Sequence, residues 1–263
     1  MRERAIVVNE QRFTGKAELY TKYRPSYPKE LIDYLYSIGF EKDSIIADIG
    51  AGTGIFSRLM LERGSKVFCV EPNEDMRNAS INDLSEFTNF ISVNGNDKNT
   101  GLQDKSIDFV TAAQAAHWFD QQAFTMECQR ILKSNGKILM VWNTRDYEHE
   151  IVIRDYEIRN KYAVGDKKGM SNPTSEYSLS DVYDYFKDGI CEYKVFRNDL
   201  QFNRNNYIGR NLSASYAPRE ESDPDIYRAL TYELAKLFDE YSVDGILNYP
   251  HFTESYIGII RTV

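Results

Sequence analysis

The sequence predicts an α/β fold in which a mostly parallel sheet is doubly wound, with helices on both faces. Three observations carry this. Between residues 28 and 143, helix-like and strand-like segments alternate, the pattern that threads parallel strands through crossover helices. A short apolar strand runs into the glycine cluster ADIGAGTGIFS (47–57) and then into a helix. The acids Asp48, Glu71 and Asp97 each fall at the end of a successive strand, on the edge where open α/β sheets bind ligands.

Each element has its own signal. PKELIDYLYSI places Leu31, Leu35 and Ile38 at helical spacing, and SIIADIG is a short buried strand. IFSRLMLERG is a helix closed by Gly64, a natural residue just past a helix end. KVFCVE is the second strand. NEDMRNASINDL opens on Asn73 as a cap, with two acids in the first turn. NFISVNG, SIDFVTAAQ and GKILMVWN are three further strands, with the helix QQAFTMECQRIL between the last two. Asp120 caps that helix, and Phe119 with Phe124 makes a hydrophobic staple.

Beyond residue 143 the pattern changes. Residues 144–190 read as helical and rich in tyrosine, broken by GDKKGMSNPTSEYS, a loop long enough to suggest function or mobility. ICEYKVFRNDLQF reads as one strand. Asp223-Pro224 opens a helix, with aspartate as cap and proline at the first position. Tyr227, Leu230, Leu234, Leu237, Phe238 and Tyr241 mark its buried face, and ESYIGIIRTV closes the sheet.

Bulk properties narrow the function. With 263 residues, 42% hydrophobic, the chain can bury one sizeable core with an embedded subdomain. No apolar run approaches the roughly 20 residues that span a bilayer, and AIVV near the start is too short for a signal-peptide core. We expect a soluble, cytoplasmic protein that binds no membrane. A formal charge of -8 disfavours nucleic acid as a partner. Cys69, Cys128 and Cys191 lie far apart without metal-ligand spacing. We expect no metal, and cysteines that are small buried hydrophobes.

The chemistry concentrates at the glycine loop. Gly50, Gly52 and Gly54, with Thr53 between the last two, allow a tight turn and a close approach of ligand to backbone N–H groups. The following helix start adds unpaired donors and partial positive charge. The spacing is GxGxG, whereas a dinucleotide loop is GxGxxG, and no GxxxxGK[ST] is present. Asp48, two residues before the first glycine, suits a ligand carrying ammonium and sulfonium groups better than a pyrophosphate. Glu71 can accept two hydrogen bonds from a ribose diol. Pro72 then turns the chain, and Met76 offers a soft side chain to an adenine face. Asn96 and Asp97 in VNGNDKN suit the donor and acceptor edge of adenine.

DIGAGTG, Glu71, Asp97 and IDFVTAAQAAHWF in series resemble the motifs of class I S-adenosylmethionine-dependent methyltransferases. The resemblance is strongest to the small-molecule, trans-aconitate methyltransferase-like group, which shares RFTGKAELYTKYRPSYP and QAAHWFD. It covers about residues 12–145 motif by motif and is weaker beyond, in LSASYAP and YIGII. It implies a seven-stranded Rossmann-like sheet, with S-adenosyl-L-methionine as cofactor. Gly50, Gly52 and Gly54 would line its methionine part, Asp48 would orient the loop or the ammonium, Glu71 would hold the ribose and Asp97 the adenine. Relatives often carry a small residue and then Glu where this chain has Asn96, Asp97 and Lys98, so a neighbour of Asp97 is the other candidate. The implied division is an N-terminal helical lid (1–40), a cofactor-binding core (41–145), a substrate-covering insert with late sheet elements (146–250) and a closing strand (251–263).

Several residues carry two readings. In YTKYRPSYP the prolines stop and start elements and the tyrosines pack. Alternatively, Tyr20 and Arg24 cover the cofactor, Tyr23 and Tyr27 face the substrate, and Arg24 grips a carboxylate. Arg145 is either half of a surface ion pair or a clamp for an acidic substrate. Ala113 and Gln114 border the cofactor. His117 and Trp118 form the wall of the acceptor pocket, and His117 is also the candidate catalytic base. We favour the wall. An ionised carboxylate acceptor needs no base, whereas a phenol, amine or carbon acid would.

The expected function is methyl transfer to a small-molecule acceptor, with a carboxylic acid as one candidate, by a monomer or homodimer. A catalytically silent S-adenosylmethionine-binding protein is the alternative from another class. A nicotinamide-dependent oxidoreductase is the weaker one, opposed by the GxGxG spacing and Asp48.

Overall fold

The structure is a computed structural model that describes residues 25–164, 182–214 and 216–262. Tyr20, Tyr23, Arg24 and the whole loop GDKKGMSNPTSEYS lie outside the described residues.

The order of elements is α1 (Lys29–Ser37), β1 (Ile45–Ile49), α2 (Ile55–Glu62), β2 (Lys66–Val70), α3 (Glu74–Leu84), β3 (Phe90–Val93), β4 (Ile107–Ala113), α4 (Gln121–Ile131) and β5 (Leu132–Arg145). After these come α5 (Glu150–Tyr162), β6 (Glu192–Arg197), β7 (Leu200–Phe202), α6 (Arg204–Leu212), α7 (Pro224–Tyr241), β8 (Leu247–Tyr249) and β9 (His251–Gly258). Seven strands form one sheet in the order β3-β2-β1-β4-β5-β9-β6. The first five pair in parallel, and β9 runs antiparallel between β5 and β6. This is the doubly wound, mostly parallel sheet that the sequence predicts.

Alternation along the strands builds the two faces. Ala47 and Ile49 turn to the face covered by Phe124, Cys128 and Ile131 of α4. Ile46, Val67 and Cys69 turn to the other, covered by Leu31 and Leu35 of α1 and Phe56 and Met60 of α2. Because β1 sits in the middle of the sheet, neither face tolerates polar residues, which is why its sequence is almost wholly apolar. The helix assigned to the lid, α1, is thus packed into this core, with Leu31 and Leu35 fully buried.

The region after β5 has a core of its own. Ile151 and Val152 of α5, Tyr207 of α6, and Leu230, Leu234, Leu237 and Phe238 of α7 pack with Phe202, Leu247 and Tyr249. The last three belong to the β7-β8 ribbon.

Three expectations are corrected. ICEYKVFRNDLQF is two strands in two sheets. Asp199 pairs with Arg197 and accepts the His251 amide, so the chain turns there and β7 leaves β9 for β8. Asp223 precedes α7 but does not cap it; its carboxylate accepts the Ser222 hydroxyl instead. Cys69 and Cys128 are buried, but Cys191 is only partly so. Its β6 neighbours lie on the sheet edge, where the strand has one partner and exposes most of its residues.

Candidate functional site

The glycine loop, Gly50–Gly54, joins β1 to α2 with left-handed backbone at all three glycines. Two of them are also required by packing. A Cβ on Gly50 would lie 2.7 Å from that of Ala115, and one on Gly54 would lie 2.5 Å from Leu84 Cδ1. A Cβ on Gly52 would meet nothing within 4 Å. Gly52 therefore faces open space, and its φ of 58° is one that side-chain-bearing residues rarely adopt. Beside it Thr53 is buried, and its hydroxyl has no partner among the described residues.

Two acids hold this loop from below and from the side. Asp48 is buried, accepting the Ser57 hydroxyl at 2.5 Å and the Thr111 hydroxyl at 2.8 Å. It therefore ties β1 to α2 and β4. Burial pushes its carboxyl up to about 6, against the two hydroxyls. Glu71 follows β2. Its Oε2 accepts the Gly52 amide at 2.9 Å and its Oε1 accepts the Asn73 amide at 2.8 Å. Burial raises the Glu71 carboxyl, and these amides oppose the rise. Each oxygen keeps a further lone pair for a ligand. Arg77 donates to the carbonyls of Glu71 and Pro72 and so fixes the turn between them. Asn73 caps α3 by accepting the Met76 amide, and the Met76 side chain is buried.

The loop after β3 is organised by its own side chains. Asn96 accepts the amides of Lys98 and Asn99. Asp97 reaches across to accept the Asp120 amide at 2.9 Å, and burial raises its carboxyl.

After β4 the chain turns sharply. Gln114 holds φ at 56°, an uncommon conformation for a residue other than glycine and one that concentrates at functional sites. Two bonds hold it there, from its amide to Val141 and from its side chain to the Asn143 carbonyl. Ala113, just before it, is half-buried. One short turn, Ala116–Trp118, then carries His117 and Trp118, both half-buried, with ring centroids 4.9 Å apart. Asp120 spends its carboxylate on the Ala123 amide, as cap of α4, and Phe119 lies 4.9 Å from Phe124.

The structure thus brings the loop, Asp48, Glu71, Asp97, Gln114 and His117 to the carboxyl edge of the parallel strands. The segment just before α1 also reaches this edge: the Ser26 carbonyl accepts Asn143 and Asn198, and Tyr27 packs edge-on against Phe56 at 4.9 Å.

Arg145 ends β5 and is half-buried. Its surroundings include Arg159, Tyr249, Tyr216 and Asp155. Sequence reading missed Ser57, Thr111, Arg77 and Asn143, whose roles come from contacts distant in sequence. Among the described residues no group of three or more His, Cys, Asp or Glu is placed to hold a metal ion. No helix of the described residues is long and apolar enough to cross a membrane.

Residues 47–140 match the family described as Methyltransferase domain. An uncharacterized methyltransferase of Mycobacterium tuberculosis is 36% identical over 134 residues, which is 51% of this chain and 53% of that protein. An uncharacterized methyltransferase-like protein of Schizosaccharomyces pombe is 34% identical over 129 residues, 48% of this chain and 49% of that protein. The chain spans about half the length of the curated relatives it matches. In fold it resembles a protein of Anaeromyxobacter dehalogenans described as a type II methyltransferase. The TM-score is 0.61 at 18% identity, covering 90% of this chain and 97% of that one. Residues 47–140, with the glycine loop, Glu71 and the β4 edge among them, are therefore the part of the chain that matches a methyltransferase domain, and the sheet around them has the fold of such a protein.

Proposed function

We propose that the protein transfers a methyl group from S-adenosyl-L-methionine to a small-molecule acceptor, and that a carboxylic acid is the acceptor to test first. The observation that carries this is the cradle at Gly52. An open backbone position is held by Glu71 next to the buried hydroxyl of Thr53, which has no partner among the described residues. A ligand with a polar amino-acid end fits there, and a ribose diol fits the remaining lone pairs of Glu71.

In this reading Gly50, Gly52, Thr53 and Gly54 hold the methionine end. Glu71 and Pro72 hold the ribose, and Met76, Asn96 and Asp97 hold the adenine, with Ala113 and Gln114 as the floor. Tyr20 and Arg24 belong to a covering segment with Tyr23 and Tyr27, the last two toward the acceptor. Asp48 acts through the loop, because its carboxylate is used on Ser57 and Thr111. The cofactor, when bound, supplies an electrophilic methyl on a sulfonium.

The chain's task is to align the acceptor and exclude water. Holding reacting atoms about 3–3.5 Å apart accounts for much of the acceleration such sites achieve. His117 and Trp118 wall the acceptor space. A carboxylate acceptor would leave His117 no proton to take; a phenol or amine would make it the base. The same reading makes this a cytoplasmic protein, monomeric or homodimeric, with no nucleic-acid partner.

A labelled-methyl screen over small acids, phenols and amines tests the reading. Label transferred to any acceptor supports it. Binding of S-adenosylhomocysteine without transfer to any class would favour a silent binding protein instead.

A further inference from the structure

We propose that Arg159 and His251 are the anion-recognising donors of the acceptor pocket, and that the acceptor is held by a carboxylate. This rests on the methyl-transfer reading above and adds the residues that select the substrate.

Several elements deliver one buried polar cluster where the helical region meets the end of β5. Asp155 and Arg159 come from α5, Tyr207 and Arg210 from α6, and Tyr249 and His251 from the corner between β8 and β9. Asp155 accepts on both oxygens. It accepts Arg159 Nε at 2.7 Å, the Tyr207 hydroxyl at 2.6 Å and the Tyr249 hydroxyl at 2.8 Å. Burial opposes its charge, but Arg159 and Arg145 outweigh it and hold the carboxyl below its ordinary range. Arg159 Nη1 donates to the Tyr216 hydroxyl at 2.9 Å. Its Nη2 has no partner among the described residues, although the side chain is 1% exposed.

His251 adds a second such donor. Arg210 Nη2 lies 3.2 Å from His251 Nε2. A guanidinium can only donate, so Nε2 accepts and the ring proton sits on Nδ1. That Nδ1–H is buried and also without a partner among the described residues. Burial, then Arg210 and Arg145, push the ring's pKa down to about 2, so it stays neutral and keeps this tautomer.

A purely structural role accounts for the bonds to Asp155. It does not account for two buried donors left over, which are costly unless something accepts from them. Arg145 connects them to the reaction edge. It ends β5 directly opposite His251 in the sheet register, two residues beyond Asn143, and it bears electrostatically on both Asp155 and His251. The ligand that suits such donors accepts only, and a carboxylate offers a flat pair of acceptor oxygens to a guanidinium. An amine would bring donors to donors.

The test is calorimetry on the full chain with malonate, succinate and citrate, their neutral methyl esters, and inorganic phosphate. Each is titrated with and without saturating S-adenosylhomocysteine. We expect at least one carboxylate to bind and its ester not to. Arg159→Gln should weaken that carboxylate about tenfold or more, the loss of one charge-assisted contact, while Arg159→Lys restores part. S-adenosylhomocysteine affinity should be unchanged in both. Arg159→Gln leaves Asp155 without its partner, so His251→Phe serves as the second variant and should weaken the same carboxylate. The proposal is overturned if no carboxylate binds under either condition, if phosphate binds more tightly than every carboxylate, or if the folded variants bind carboxylate as the wild type does. Carboxylate binding with no S-adenosylhomocysteine binding would instead overturn the methyl-transfer reading and leave the anion site standing.

Discussion

Glu71 Oε2 accepts the backbone amide of Gly52 at 2.9 Å, so the acid that ends β2 holds the turn that follows β1. The same carboxylate, through Oε1, fixes the Asn73 amide at the start of α3. One side chain thereby sets the relative positions of the turns that follow β1 and β2. Glu71→Ala removes both bonds and leaves two buried amides to find water. We expect stability to fall by roughly 1–3 kcal/mol and S-adenosylhomocysteine affinity by about tenfold or more. Urea unfolding and calorimetry check the two effects separately. Unchanged affinity would refute the ribose assignment.

The glycines divide by what surrounds them. Gly54→Ala meets Leu84 Cδ1 and a left-handed backbone together. Strain of about 1–2 kcal/mol from the backbone adds to overpacking of about 1–3 kcal/mol. Gly52→Ala meets only the first, because nothing lies within 4 Å. Gly52→Ala should thus fold better than Gly54→Ala and yet bind S-adenosylhomocysteine poorly, since its methyl enters the cradle. Melting curves and titrations of the two variants decide this. Equal stability loss with retained binding at Gly52 would contradict it.

Asp48 makes the stability of this domain depend on pH. Its folded-state carboxyl is raised to about 6 by burial, from an ordinary value of 3.8. The folded protein therefore holds this proton more tightly than the unfolded chain. The stabilisation from the protonated form is fully present below about pH 4 and is lost as pH rises through about 6. Its full span is roughly 3 kcal/mol. Asp48→Asn removes the dependence. The stability of the variant relative to wild type should rise from pH 4 to 6 and stay level above, as read by urea unfolding across that range. A difference that does not vary with pH would show that Asp48 titrates normally.

Asp120 and His117 stand three residues apart but serve different ends. Asp120 caps α4 through the Ala123 amide and gives its own amide to Asp97. We expect Asp120→Ala to lower the melting temperature modestly, without shifting the pH profile of any methyl transfer. A displaced acidic or basic limb would restore the dyad that the sequence suggests at first sight.

The first half of the fold was legible because β1, β2 and β3 are short, largely apolar runs closed within two residues by a glycine or proline. The candidate site was legible for a related reason: the loop conformations need glycine, and the acids fall at strand ends that the topology brings together. The second half resisted. Tyr207, Tyr249 and Asp155 join across as many as 94 residues, so no local spacing announces them. Tyrosines that look like helix packing turn out to satisfy one buried acid. Likewise, nothing in ICEYKVFRNDLQF signals that Asp199 will be held by Arg197 and the His251 amide, which is what splits the strand.

The most direct measurement is calorimetric titration of the full chain with S-adenosylhomocysteine and, in parallel, with NAD. The account predicts saturable binding of S-adenosylhomocysteine at a single site, weakened in Glu71→Ala, and no binding of NAD. Binding of NAD with none of S-adenosylhomocysteine would contradict it.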